Sequence, residues 1–270
     1  MPDSVRYAQM NTAELRRNFL LNSLFTPGVR CIYCDTERTV IGSVVPGTES
    51  TALPSFPLLR SEYFAERREI GVLNIGAPGT AVVDGVEYAM ANRDCLYIGR
   101  GSRDIAFHGG DPDDPAKFYL LSYPAHADYP TTLARKADAE AVSLGTAAAC
   151  NERTIYKYIH PAGIKSSQLV MGFTELAVGS AWNTMPAHTH ERRSEVYLYF
   201  DLAADARVFH LMGTPDETRH LVVADEQVVV SPSWSIHAGV GTARYAFCWG
   251  MGGENQDFTD MDGLAVARLL

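Results

Sequence analysis

The stretch Trp182-Asn-Thr-Met-Pro-Ala-His188-Thr-His190-Glu-Arg-Arg-Ser-Glu195-Val-Tyr-Leu-Tyr-Phe200 decides how the chain is read. Its two histidines stand two positions apart. In a strand this spacing puts both imidazoles on one face, about 6–7 Å apart along the chain. Pro186 before them and the polar run 191–194 after them mark a strand end and a turn. The chain re-enters a strand at Glu195, whose period-two partners are Tyr197 and Tyr199. With that face turned into a barrel lumen, Glu195 meets the two histidines across a hairpin.

A fourth donor comes in Pro232-Ser-Trp-Ser-Ile-His237, after the apolar run 227–230. A neighbouring antiparallel strand brings it to the same point. An isolated His-x-His is ordinarily a surface or core pair. The glutamate and the late histidine, in a chain of short strands, turn the reading toward a metal. Three imidazoles and one carboxylate suit zinc, and also iron, manganese or nickel, with open positions for substrate oxygens. The remaining histidines (His108, His126, His160, His210 and His220) show no such grouping and read as satisfied polar residues.

Around this stretch the chain is a series of short apolar runs. Those of the first half cover 41–45, 71–75, 80–83, 95–98 and 118–121. Those of the second cover 168–171, 195–200, 207–212, 220–223, 227–230 and 245–249. Pro78-Gly79, Asp84-Gly85, Gly109-Gly110 and Gly213-Thr-Pro215 punctuate them. Many short strands between turn signals predict a mainly all-β chain, a barrel or sandwich, with few short helices. The helix candidates are 12–22, with Thr12 as cap and Leu15 and Phe19 on one face, then 132–141 and 260–269.

The pattern also repeats. Glu66-Arg-Arg-Glu-Ile-Gly-Val-Leu73 resembles Glu191-Arg-Arg-Ser-Glu-Val-Tyr-Leu198, which predicts two similar barrels. The Ala-rich, polar stretch 134–151 reads as a linker, so the expected division is 1–150 and 151–270. The first half has Phe64-Ala65 where the second has its histidines. The expectation is an N-terminal barrel that carries structure and a C-terminal barrel that carries the chemistry.

Composition narrows the rest. The chain has 270 residues and a net charge of −9 with no basic tract, which speaks against nucleic acid as a partner. No run reaches the ~18 apolar residues of a membrane span. Arg16 and Arg17 interrupt the first apolar stretch, so no secretory pattern is present and the cytoplasm is the expected compartment. The five cysteines, Cys31, Cys34, Cys95, Cys150 and Cys248, are odd in number and irregular in spacing, unlike a disulfide framework. The single Cys31-x-x-Cys34 pair reads as plain buried thiols rather than a zinc site.

The spacing H-x-H-x4-E, with P-x4-H downstream, resembles the two motifs of the cupins. Trp234 stands where the second motif usually has glycine, and Gly241 where asparagine is expected. Longer stretches are more specific. The 182–197 segment, Glu217-Thr-Arg-His220, Ser231-Pro-Ser-Trp-Ser-Ile-His237 and Trp249-Gly-Met-Gly-Gly-Glu-Asn-Gln256 resemble the 5-keto-4-deoxyuronate isomerases. These are also called 4-deoxy-L-threo-5-hexosulose-uronate ketol-isomerases. Residues 66–76 and Ala116-Lys-Phe-Tyr119 resemble them too, so nearly the full chain is covered. The resemblance implies a duplicated cupin fold and one zinc per chain on His188, His190, Glu195 and His237. It also implies a homohexamer that interconverts 5-dehydro-4-deoxy-D-glucuronate and 3-deoxy-D-glycero-2,5-hexodiulosonate in pectin breakdown.

Zinc has no redox role, which suits an isomerisation with no net oxidation by either an enediolate or a hydride route. The substrate carboxylate calls for a guanidinium, and Arg192 or Arg193 in the turn between ligands is the first candidate. Rim salt bridges are the competing use for both. Glu195 and Tyr197 are the candidates for proton transfer, and Glu254 and Asn255 come after a strand that leads to the same mouth. Three other readings use the same residues: a 5-deoxyglucuronate isomerase of inositol breakdown, an iron-dependent cupin dioxygenase, and a non-enzymatic sugar-binding cupin.

Overall fold

The computed structural model describes residues 1–270. Its contacts divide the chain into two units, one of Met1–Ser23, Ala141–Tyr156 and Gly172–Leu270, the other of Leu24–Glu140 and Lys157–Met171. The partition differs from a single cut at residue 150. The first residues of the chain join the C-terminal unit, because Leu20–Leu21 add a strand beside Gln227–Ser231, with Leu20 opposite Val229. The 134–151 stretch is also more than a linker, since it holds the strand Glu140–Leu144.

Each unit is built from a larger and a smaller sheet, the arrangement of a cupin-type jelly roll. In the 24–140 unit the larger sheet runs Thr132–Ala134, Cys95–Ile98, Arg68–Asn74, Phe118–Pro124, Val40–Val45, Gly28–Tyr33. The smaller runs Thr51–Ala52, Ile105–His108, Gly79–Val83, Val86–Met90. Between them Val72, Leu96, Phe107, Phe118 and Leu120 are fully buried in one apolar core. Removing such side chains from water is the main favourable contribution to folding.

The C-terminal unit repeats the plan. Its central strand Arg193–Phe200 lies between Gln227–Ser231 and Ala246–Gly253, as Arg68–Asn74 lies between Cys95–Ile98 and Phe118–Pro124. The smaller sheet is Trp182–Asn183, Ala238–Gly241, Val208–Thr214, Glu217–Val223. The Glu-Arg-Arg repeat therefore marks equivalent strand starts at Arg68 and Arg193. Beyond those starts the two units diverge. Where the C-terminal unit places Glu195, the 24–140 unit has Ile70, buried with Phe64 and Ala65 in its apolar core. Carbon fills the place of chemistry in that unit.

Three helix expectations are corrected. The first helix is Thr12–Phe19, capped by Asn11 and Glu14 in a reciprocal capping box rather than by Thr12. Leu15 and Phe19 are buried on its inner face, as the period requires, and strand pairing at Leu20 ends it. Residues 132–141 form the strand Thr132–Ala134, paired with Cys95–Ile98, and one turn at Lys136–Asp138. Residues 260–269 form the strand Asp262–Gly263, paired with His188–Thr189, and one turn at Val266–Arg268. Segments this short do not offset the cost of helix nucleation, and sheet pairing takes their backbone groups instead. No helix is long and apolar enough to cross a membrane. All five cysteines are free thiols.

Candidate metal centre and pocket

His188 sits on the short strand His188–Thr189, His190 directly after it, Glu195 on the central strand Arg193–Phe200, and His237 just before Ala238–Gly241. Three separate stretches of chain thus deliver four donors, and their ligand atoms all lie within 4.8 Å of one another. The hairpin expected between the histidines and Glu195 does not form. The histidine strand pairs with Asp262–Gly263, His188 opposite Gly263. Glu195 pairs with Ser231 and Met251.

The donor geometry is that of a cation site. Nε2 of His188 lies 3.0 Å from Nε2 of His190 and 3.0 Å from Nε2 of His237. Oε2 of Glu195 lies 3.2 Å from the His190 nitrogen and 3.0 Å from the His237 nitrogen. Ligands held at roughly 2.0–2.2 Å from one ion stand about 3.0–3.5 Å apart. Glu195 is buried, and its Oε2 has no hydrogen-bond donor. Such an orphaned carboxylate oxygen is costly unless a cation completes it. The quartet therefore can hold a metal ion.

Electrostatics agree. Burial would raise the Glu195 carboxyl, but the adjacent His237 and His190 imidazoles outweigh it and hold the group well below its ordinary value. It is a carboxylate. Burial, then repulsion from His237, pushes the His188 imidazole down to about 3, so the ring stays neutral and its nitrogen free. Metal ligation needs both of these protonation states. Burial and then the Glu195 charge push the Tyr197 hydroxyl well above its usual range. Tyr197 is therefore a phenol at neutral pH, a group that can donate a hydrogen bond.

A cavity of about 260 Å³ opens on three of the four donors, His188, His190 and Glu195, slightly below the ~300–1,000 Å³ usual for ligand sites. His188, His190, Glu195 and Tyr197 form its polar end, with Asn183, Thr184 and Thr174 nearby. Phe247, Trp249, Met251, Phe258 and Met261 supply much of its apolar wall, and Arg153 is the one lysine or arginine in the lining. The Asn183 side chain is buried with its amide nitrogen unpaired, a donor left for a ligand.

Three expected substrate contacts lie elsewhere. Arg192 is tied to Asp260 and Asp262. Arg193 is fully buried and bonds the backbone oxygens of Asp257 and Asp260. Neighbours at a strand start point to opposite sides, yet the 255–262 loop wraps round and captures both. Glu254 is exposed, and none of the three lines the cavity. The arginine that does line the cavity is Arg153. Nothing local in the sequence distinguishes it, because it arrives on the separate strand Arg153–Ile159.

His210 departs from the expectation of a satisfied side chain. Tyr199 Oη lies 2.7 Å from its Nδ1, but its Nε2 is buried without a partner. Burial, then repulsion from His237, pushes it from 6.5 down to about 3. The unfolded chain therefore binds a proton here that the folded chain refuses. Stability is complete above pH ~6.5 and falls toward pH ~3, by at most about 1.4 kcal/mol per pH unit for this one group. His210→Gln is expected to flatten that decline in urea unfolding of metal-free protein between pH ~6 and ~4. An unchanged slope would show that His210 does not carry the decline.

The comparisons with known proteins point the same way. The sequence profile of the KduI/IolB family matches residues 23–265. A 4-deoxy-L-threo-5-hexosulose-uronate ketol-isomerase of Halalkalibacterium halodurans is 54% identical over 99% of this chain and 97% of its own. One of Kineococcus radiotolerans is 53% identical over 96% and 95%. Among solved structures, an IolB-like protein of Salmonella typhimurium superposes with a TM-score of 0.74 at 14% identity, covering 92% of this chain and 97% of that one. A Bacillus subtilis oxalate decarboxylase variant superposes at 0.61 and 9% identity, covering 89% and 76%. At these identities the two structures speak for the fold alone, a cupin-type one. With its profile match and its full-length resemblance to named ketol-isomerases, the chain belongs to the KduI/IolB family and is an isomerase.

Proposed function

We propose that the protein interconverts 4-deoxy-L-threo-5-hexosulose uronate (5-dehydro-4-deoxy-D-glucuronate) and 3-deoxy-D-glycero-2,5-hexodiulosonate, with zinc on His188, His190, Glu195 and His237. One observation carries the reading: the cavity is lined by three of the four clustered donors, His188, His190 and Glu195, together with a single cation, Arg153. The substrate likewise has carbonyl chemistry at one end and a carboxylate at the other. The name carried by the relatives, 4-deoxy-L-threo-5-hexosulose-uronate ketol-isomerase, supports the same reading.

A dication bound there supplies stabilisation for charge that develops on the C1 and C2 oxygens. The chain's own groups do the rest. Arg153 receives the carboxylate through its guanidinium fork. Glu195 is the one carboxylate in the lining, and it carries the proton between C2 and C1. The Tyr197 hydroxyl donates a hydrogen bond to a substrate oxygen. The Phe247, Trp249 and Met251 wall keeps water from the reacting carbons. Zinc is preferred over iron, manganese or nickel because the reaction needs no redox change.

In this reading the partner is a small sugar acid, the setting is uronate catabolism in the cytoplasm, and the assembly is a homohexamer. The isomerase relatives set aside the dioxygenase and storage readings. The substrate is tested by offering purified protein 4-deoxy-L-threo-5-hexosulose uronate and 5-deoxyglucuronate in parallel, with products resolved by NMR. The expected product is the 2,5-diulosonate from the first. Turnover of the second alone would move the assignment to inositol breakdown.

A further inference from the structure

We infer that residues 255–264 form a strap that fixes the proton of His190 and completes the pocket wall, with Asp260 as the positioning residue that fastens it. This rests on the metal reading above.

Asp260 is held by both ends. Its carboxylate receives Arg192 Nε at 2.8 and 2.7 Å, Arg192 Nη2, and Asn255 Nδ2 at 2.6 Å. Its backbone oxygen lies 2.9 Å from His190 Nδ1 and accepts Arg193 Nη2 at 3.3 Å. Adjacent arginines therefore grip one residue, Arg192 by the side chain and Arg193 by the backbone. Arg193 also anchors the strap at the Asp257 carbonyl.

A carbonyl only accepts, so His190 donates to it from Nδ1. That proton placement leaves Nε2 with the lone pair that faces His188 and Glu195. Arg193 Nη2 also lies 3.2 Å from His190 Nδ1, a contact that would need the opposite tautomer. The carbonyl partner is closer, and Arg193 has the carbonyls of Asp257 and Asp260 as acceptors, so the Nδ1–H form stands. Beyond Asp260 the strap pairs Asp262–Gly263 with the histidine strand, and Leu264 N–H donates to Ala187 O at 3.0 Å. It brings Phe258 and Met261 into the cavity wall. One segment thus orients a ligand and shapes the pocket.

Outer partners that orient a metal-bound histidine typically contribute about 10–100-fold in metal affinity. Zinc affinity is measured by competition with a chromophoric chelator for the wild type, Asp260→Asn, Arg192→Ala and the double variant. Each single variant is expected to bind zinc about 10–100-fold more weakly. The double variant is expected to be no worse than the poorer single, since both break one latch. Arg192→Lys recovers part of the loss, because lysine keeps the charge but not the fork. Arg244→Ala, which breaks the Arg244–Asp201 ion pair, serves as the control and keeps wild-type affinity. Wild-type affinity in both latch variants would overturn the strap while leaving the metal site standing. A wild type that binds no zinc would overturn the metal reading and the strap with it.

Discussion

His190→Ala is expected to leave a folded protein that has lost its metal and nearly all of its activity. His190 is buried, and its Nε2 faces both His188 Nε2 and Glu195 Oε2. Loss of a direct ligand should cost more than the roughly 10–100-fold in metal affinity that outer partners contribute. Turnover should fall by about 1,000-fold or more, since electrostatic stabilisation of the developing charge is commonly the largest catalytic contribution. The fold should survive. His190 stands at the edge of the short pair His188–Thr189 with Asp262–Gly263, outside the main sheets of its unit. Metal content, turnover and circular dichroism on one preparation check all three points. Wild-type metal content in the variant would show that the quartet is not the ligand set.

Arg153→Met should produce the second large loss, of a different kind. Methionine keeps an unbranched apolar stem and removes only the charged fork. Truncating one partner of a buried charge pair costs about 2–5 kcal/mol, which is roughly 30- to several thousand-fold in kcat/KM. Metal content should not change. The loss should appear for the uronate and vanish for an analogue whose carboxylate is replaced by a neutral group. Partial burial pulls the Arg153 guanidinium below its ordinary value, and a carboxylate bound beside it would favour its charged form. Equal losses on charged and neutral substrates would mean that Arg153 only shapes the wall, through its bond to the Asn151 carbonyl at 2.9 Å.

The two variants also mark how far the sequence could be read. The convergence of His188, His190, Glu195 and His237 was legible because strand geometry converts spacing into direction. His188 and His190 are two apart, Glu195 begins a strongly patterned strand, and His237 closes a proline turn. The repeat around Glu66 and Glu191 was legible for the same reason, and the structure adds that Ile70 fills the place of Glu195 with core. Arg153 was not legible, because a side chain brought in from a separate strand leaves no local signal. Arg192 and Arg193 misled because a sequence gives charge without direction. Their partners, Asp260 and the carbonyls near it, lie more than sixty positions downstream. The same loop cancelled the helix expected over 260–269. Its backbone is taken up by the histidine strand, a tertiary pairing that local propensity does not encode. His210 escaped because its burial and its unpaired Nε2 arise from packing around Tyr199 rather than from any neighbour in sequence.

One titration decides whether this isomerase works through a metal held by His188, His190, Glu195 and His237. Turnover of 4-deoxy-L-threo-5-hexosulose uronate is followed while metal is removed by a chelator and then returned, with bound metal counted on the same samples. Activity should fall in proportion to the metal lost, from about one ion per chain, and return with added zinc. Full turnover by metal-free protein would contradict a metal-based mechanism.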